Sequence, residues 1–182
     1  MKDFKHVVIE MAETFAVSFV VIMILYGLVA SIEIVEGESM EPNYHTDERI
    51  LVDKLSPFID NYRRGEVVVF RPPNDPSVHY IKRVLGLPGE TVKIFDCRVY
   101  IQTGGTKYQL IEGYLPKDLC TYGGTAVTDG HSFKIPENQY LLLGDNRSFS
   151  VDSRMLGFID RKSIVGRVTF VLWPPAKIGF TN

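Results

Sequence analysis

Hydrophobic positions along the chain follow two regimes. From Thr14 to Ile32 (TFAVSFVVIMILYGLVASI) about 19 residues pass without a charge, close to the roughly 20 that a helix needs to cross a bilayer core. That run predicts one transmembrane helix over residues 14–32, after a short N-terminal segment 1–13. Beyond it, apolar residues come in short runs rich in Val, Ile, Leu, Tyr and Phe, broken by Gly, Pro, Asn and Asp. This is the pattern of strands joined by turns, and it predicts a mostly β domain over 33–182. The expected strands are Arg49–Leu55, Glu66–Arg71, Val78–Leu85, Thr91–Phe95, Arg98–Gln102, Gln139–Leu143 and Ile164–Trp173. The stretch 102–132 carries Gly104-Gly105, Gly113, Gly123-Gly124 and Gly130 with few apolar runs, so it reads as a small irregular or hairpin-like insertion.

A cleaved secretory signal is the competing reading of the apolar run. Such signals have apolar regions of roughly 7 to 15 residues and a basic start. This run is longer and is preceded by Glu10 and Glu13, although small residues around Val29 and Ser31 leave a marginal cleavage site. An uncleaved anchor fits better. Lys2 and Lys5 precede the helix while the first basic residue after it is Arg49, which predicts a cytoplasmic N-terminus and an exported β domain.

Composition narrows the partners. A chain of 182 residues fits one domain plus an appendage. With 20 basic and 22 acidic residues and a formal charge of -2, it has no basic stripe for neutralising phosphates, and nucleic acid is excluded as the expected partner. Cys97 and Cys120 fall in the exported part, where a disulfide is permitted and two free thiols are the alternative. Their spacing matches no zinc pattern, and His45, His79 and His131 are scattered, so no metal is expected.

Three polar islands interrupt the β pattern. Gly37-Glu38-Ser39-Met40-Glu41-Pro42 follows the apolar run directly. Taken alone, its serine reads first as a residue that caps or turns the chain, and the island is neither G-x-S-x-G nor S-x-x-K. In Tyr80-Ile81-Lys82-Arg83-Val84-Leu85-Gly86, strand alternation puts Lys82 on the face of Tyr80 and Val84 and sends Arg83 the other way. On an apolar face the ammonium is penalised and the lysine pKa falls, which makes the neutral amine a base for a serine hydroxyl. The alternative is a lysine that snorkels its head to solvent. Leu143-Gly144-Asp145-Asn146-Arg147-Ser148-Phe149-Ser150-Val151-Asp152-Ser153-Arg154 is either a solvated loop or a set of positioning charges in which Asp152 and Arg154 pair.

Taken together and in order, the anchor, the Ser-Met-x-Pro box, the Lys-Arg box and the Gly-Asp-Asn-Arg box resemble bacterial signal peptidase I. Gly65 to Phe70, Gly166-Arg167-Val168, Trp173-Pro174 and Ile178-Gly179 extend the resemblance over nearly the whole chain. It implies Ser39 as nucleophile and Lys82 as general base, with Ser150 orienting Lys82 and Asp145, Arg83, Asp152 and Arg154 as supporting charges. It also implies Val35, Tyr80 and Ile81 as lining for shallow pockets, with Met40 beside them among the substrate-binding residues. The sequence departs from the family's pattern at Gly37, where some members carry an oxyanion-binding serine, at Asn43-Tyr44, and at Ser148-Phe149.

By this resemblance the chain is a serine endopeptidase of the bacterial cytoplasmic membrane that needs no cofactor. Its partners are preprotein signal peptides, cut after small residues, and the lipid bilayer. Two other readings stand beside it: a non-catalytic membrane-tethered β domain that binds partners, and a relative of LexA-like Ser-Lys autoproteases. The latter would want a DNA-binding domain where this chain has an apolar helix.

Overall fold

A computed structural model describes residues Lys2 to Thr181. Met1, at the start of the expected segment 1–13, and Asn182, at the end of the expected β domain, lie outside them. Helix α1 (Lys2–Val29) projects from the rest of the chain with its apolar side chains exposed. By length and composition it is long and apolar enough to cross a membrane.

The helix begins and ends earlier than the apolar run. Residues from Lys2 to Glu13 are helical, and Ala30–Ile34 leaves the helix as strand β1. Strand β2 (Arg49–Asp53) accounts for that break, because it pairs antiparallel with β1 from Ala30 opposite Asp53 to Ile34 opposite Arg49. The Lys54 amide then donates to the Val29 carbonyl at 2.9 Å. Apolar residues serve a membrane helix and a half-buried strand alike, so the boundary carries no local mark.

The remaining elements follow in order: α2 (Ser56–Ile59), β3 (Val67–Phe70), β4 (Tyr80–Gly86), β5 (Thr91–Phe95), β6 (Arg98–Thr103), β7 (Thr106–Gln109), β8 (Ser132–Lys134), β9 (Gln139–Leu143), α3 (Ser153–Leu156), β10 (Ile159–Asp160), β11 (Ile164–Trp173) and β12 (Gly179–Phe180). The seven expected strands are all present, with ends shifted by two residues at most. Strands β1, β7, β8, β10 and β12 are additional; the last four are short, and β7 is exposed throughout.

Pairing is antiparallel throughout. The larger sheet runs β1-β2-β11-β3-β4-β9-β10, with β12 on β11, and the smaller runs β7-β6-β5-β8. Val35, Met40, Ile50, Val52, Val67, Val69, Ile81 and Val168 form one apolar core under the first strands of the large sheet. Leu85, Leu141 and Leu143 join Val92, Ile94, Val99 and Ile101 in a second core between the sheets. Strand β4 lies between β3 and β9 and is buried on both faces, with Lys82 opposite Val68 and Arg83 opposite Val67 and Leu143. It therefore carries its two basic residues into the interior. The insertion continues from β6 through the hairpin turn into β7 and is tied back by a disulfide from Cys97, in the β5–β6 turn, to Cys120.

Candidate active site

Ser39 sits in the loop between β1 and β2. The loop closes on itself through Glu41 N to Glu38 O at 3.1 Å and Asn43 N to Met40 O at 3.0 Å, and Val35 N to Glu48 O at 2.8 Å fixes its base. Gly37 takes a left-handed φ of 84° at the entry to this turn, a conformation that a side chain would strain. Met40 is fully buried in the first core and acts as the plug that anchors the loop. Expected among the substrate-binding residues, it lies beneath the groove beside Val35 and Ile81 rather than in its lining.

Lys82 reaches this loop from β4. Its Nζ donates to Ser39 Oγ at 2.7 Å and to Ile81 O at 2.8 Å, and it lies 5.4 Å from the centre of the Tyr80 ring. The residue is 3 % exposed, so it does not snorkel to water. Burial lowers its pKa from 10.5 to about 8; the Asp152 and Asp145 carboxylates pull it back up, and Arg154 pushes it further down. A neutral amine with one N–H fixed on a carbonyl keeps a lone pair for the serine hydroxyl, the requirement for a general base.

The loop after β9 closes over the pair. Asn146 N donates to Ser39 O at 3.0 Å, and Asn146 Nδ2 donates to Glu38 O at 3.1 Å. Gly144 passes so close that a Cβ there would lie 2.5 Å from Ser39 O. Asp145 accepts from Arg83 Nε at 2.9 Å and from its terminal nitrogen at 2.6 Å, a bidentate pair that is almost wholly buried. Asp152 caps α3, accepts from Gly144 N at 3.0 Å, and pairs with Arg154 at 2.8 Å. Burial works against the Asp152 carboxylate, but Arg154 and the Gly144 amide outweigh it and hold its pKa below the ordinary value.

Of the residues expected at the site, Ser39 and Lys82 meet directly, and Arg83, Asp145, Asp152 and Arg154 form the charge frame around them. Ser150 Oγ is buried without a well-formed hydrogen bond and faces Asp152, whose ionised form it favours. Besides Ser39, the acceptor for Lys82 Nζ is the Ile81 carbonyl. Sequence reading missed several residues. Asn43 donates to Asp145 Oδ2 at 2.8 Å and to Tyr114 O at 3.0 Å, and the Tyr114 ring covers the Arg83 guanidinium at 4.1 Å. Arg147 is held by Glu112 and Thr121. Arg147 stood inside the third polar island and Asn43 directly after the first, whereas nothing local marked Glu112, Tyr114 or Thr121 within the glycine-rich insertion.

A groove of about 570 Å³ opens at Ser39 and Lys82. Val35, Ile81, Tyr80, Ile50 and Val69 give it an apolar floor and wall, and Phe149 and Val151 rim it. Among the described residues no group of three or more His, Cys, Asp or Glu side chains could hold a metal ion.

Residues 8–173 match the family model described as signal peptidase, peptidase S26. The chain is 36% identical to signal peptidase I of Bacillus amyloliquefaciens over 174 residues, covering 93% of this chain and 90% of that one. It is 34% identical to signal peptidase I S of Bacillus subtilis (strain 168), covering 98% and 96% of the two chains. Among solved structures, a signal peptidase I from Enterococcus faecalis V583 aligns with 30% identity and a TM-score of 0.49, over 60% of this chain and 98% of that one.

Proposed function

The chain belongs to the signal peptidase family, peptidase S26, and on that premise we propose that it is a membrane-anchored endopeptidase that removes signal peptides through a Ser39/Lys82 dyad. One observation carries the chemistry: Lys82 Nζ, buried and with its pKa lowered to about 8, lies 2.7 Å from Ser39 Oγ. Neutral Lys82 takes the Ser39 proton as the oxygen attacks the scissile carbonyl. The protonated amine then gives that proton to the leaving amine, which departs and leaves an acyl-enzyme. Water, deprotonated by the same amine, releases the peptide acid and restores Ser39. The Ser39 amide is the proposed oxyanion donor, since Gly37 offers no side chain.

Val35, Ile81 and Tyr80 place packed apolar side chains in the groove beside Ser39, which favours small side chains just before the cut. Helix α1 holds this groove near a bilayer, with the N-terminus in the cytoplasm and the β domain outside. A substrate still held by its own apolar segment meets it there in two dimensions. Cleavage of a preprotein in detergent or vesicles tests the reading. Wild type removes the signal peptide and Ser39→Ala does not, and a serine-directed acylating inhibitor marks Ser39 in the former alone. Equal cleavage by both would overturn it.

A further inference from the structure

We propose that Glu112 is a positioning residue, through which the insertion holds the Gly144–Asn146 turn against Ser39. The proposal rests on the Ser39/Lys82 reading above and adds to it a role for a segment remote from the groove. Arg147 is the middle of the connection. Its side chain is wholly buried, and its ion-pair partner is Glu112 in the insertion. One terminal nitrogen bonds Glu112 Oε2 at 3.1 Å and Thr121 Oγ1, and the other bonds Glu112 Oε1. A buried cation without its counter-charge is strongly unfavourable, so the carboxylate decides where this guanidinium rests.

The remaining donor of Arg147 reaches the site. Its Nε donates to Gly144 O at 3.0 Å, two residues before Asn146, whose amide donates to Ser39 O at 3.0 Å. The connection thus runs from the Glu112 carboxylate through a guanidinium, a carbonyl and an amide to the carbonyl of the nucleophile itself. The same segment grips the other side of the turn. Tyr114 OH donates to Glu112 Oε1 at 2.6 Å, its carbonyl accepts from Asn43, and its ring covers Arg83, which holds Asp145. The Cys97–Cys120 disulfide and a bond from Thr121 N to Cys97 O at 3.1 Å fix this part of the insertion beside Arg147.

None of Glu112, Tyr114, Thr121 and Arg147 lines the groove. Loosening the connection therefore acts on the placement of Ser39 rather than on substrate binding, and its effect belongs in kcat rather than KM. A displacement of about 1 Å at a nucleophile can cost about a hundredfold in rate.

The test uses the full chain in detergent with Glu112→Gln, and with Tyr114→Phe as a milder variant should the first fail to fold. Amide hydrogen exchange over residues 38–41 and 144–147 is measured beside kcat and KM for a preprotein. The expected result is faster exchange in both segments, a kcat reduced about 10- to 100-fold, and an unchanged KM. Unchanged exchange overturns the proposal whatever the activity, and so does faster exchange with unchanged kcat or a loss confined to KM. Failure of the dyad reading is a separate outcome, seen as equal cleavage by wild type and Ser39→Ala.

Discussion

Lys82 Nζ and Ser39 Oγ meet at 2.7 Å although 43 residues separate them in the chain. Strand β4 supplies one and the β1–β2 loop the other, and burial lowers the Lys82 pKa to about 8. Because only the neutral amine accepts the serine proton, kcat/KM is expected to rise with pH up to about 8 and then level. Lys82→Ala should abolish turnover, and the Ser39→Ala/Lys82→Ala double variant should be scarcely worse than either single one, since the two act as a unit. A pH–rate profile in which the rising limb lies well away from pH 8 would count against Lys82 as the titrating base.

The same pKa predicts a stability effect of definite sign. Between about pH 8 and 10.5 the unfolded chain holds a proton at Lys82 that the folded chain lacks, so stability rises with pH across that window and the full cost is borne below it. Lys82→Met removes the cost. At pH 7 it should stabilise the protein by about 2 kcal/mol, after allowing for the lost hydrogen bonds, with the gain fading toward pH 10.5. Urea denaturation at the two pH values checks this; an equal gain at both would assign it to packing.

Gly144 is required by closeness. A Cβ there would lie 2.5 Å from Ser39 O and would also collide with the Ser150 side chain. Gly144→Ala is expected to lower kcat by about 10- to 100-fold through displacement of the nucleophile. Circular dichroism should show the β fold retained.

Arg83 and Asp145 form a buried bidentate pair. Asp145→Ala leaves the guanidinium unpaired and should destabilise the domain by about 3 to 5 kcal/mol. The Arg83→Met/Asp145→Leu double variant should lose less than the Arg83→Met and Asp145→Leu losses added together. Additive losses in a double-mutant cycle would show that the pair is not coupled.

The proposed preference for small residues rests on the groove floor at Val35 and Ile81, both buried in the first core together with Met40. Such a floor cannot recede without disturbing packed neighbours. A preprotein series with Ala, Leu and Phe just before the cut should be cleaved at Ala and rejected at the larger residues. Equal rates across the series would refute the size limit.

The chain's local patterns were enough to place the apolar helix and seven strands, because period-two alternation and turn residues act over a few neighbours. Strand alternation singled out Lys82 as a lysine on an apolar face, whereas Ser39 was picked out only through the resemblance of its Ser-Met-x-Pro box. Local pattern did not separate α1 from β1, since the same apolar residues suit lipid and sheet; pairing with β2 made that choice. Nor did it show that Met40 is a plug, that the Ile81 carbonyl accepts from Lys82, or that Glu112 and Tyr114 reach the catalytic loop. Each of these depends on which distant groups folding brings together around a buried charge, and a buried charge selects its partner by proximity in space, which sequence spacing does not encode.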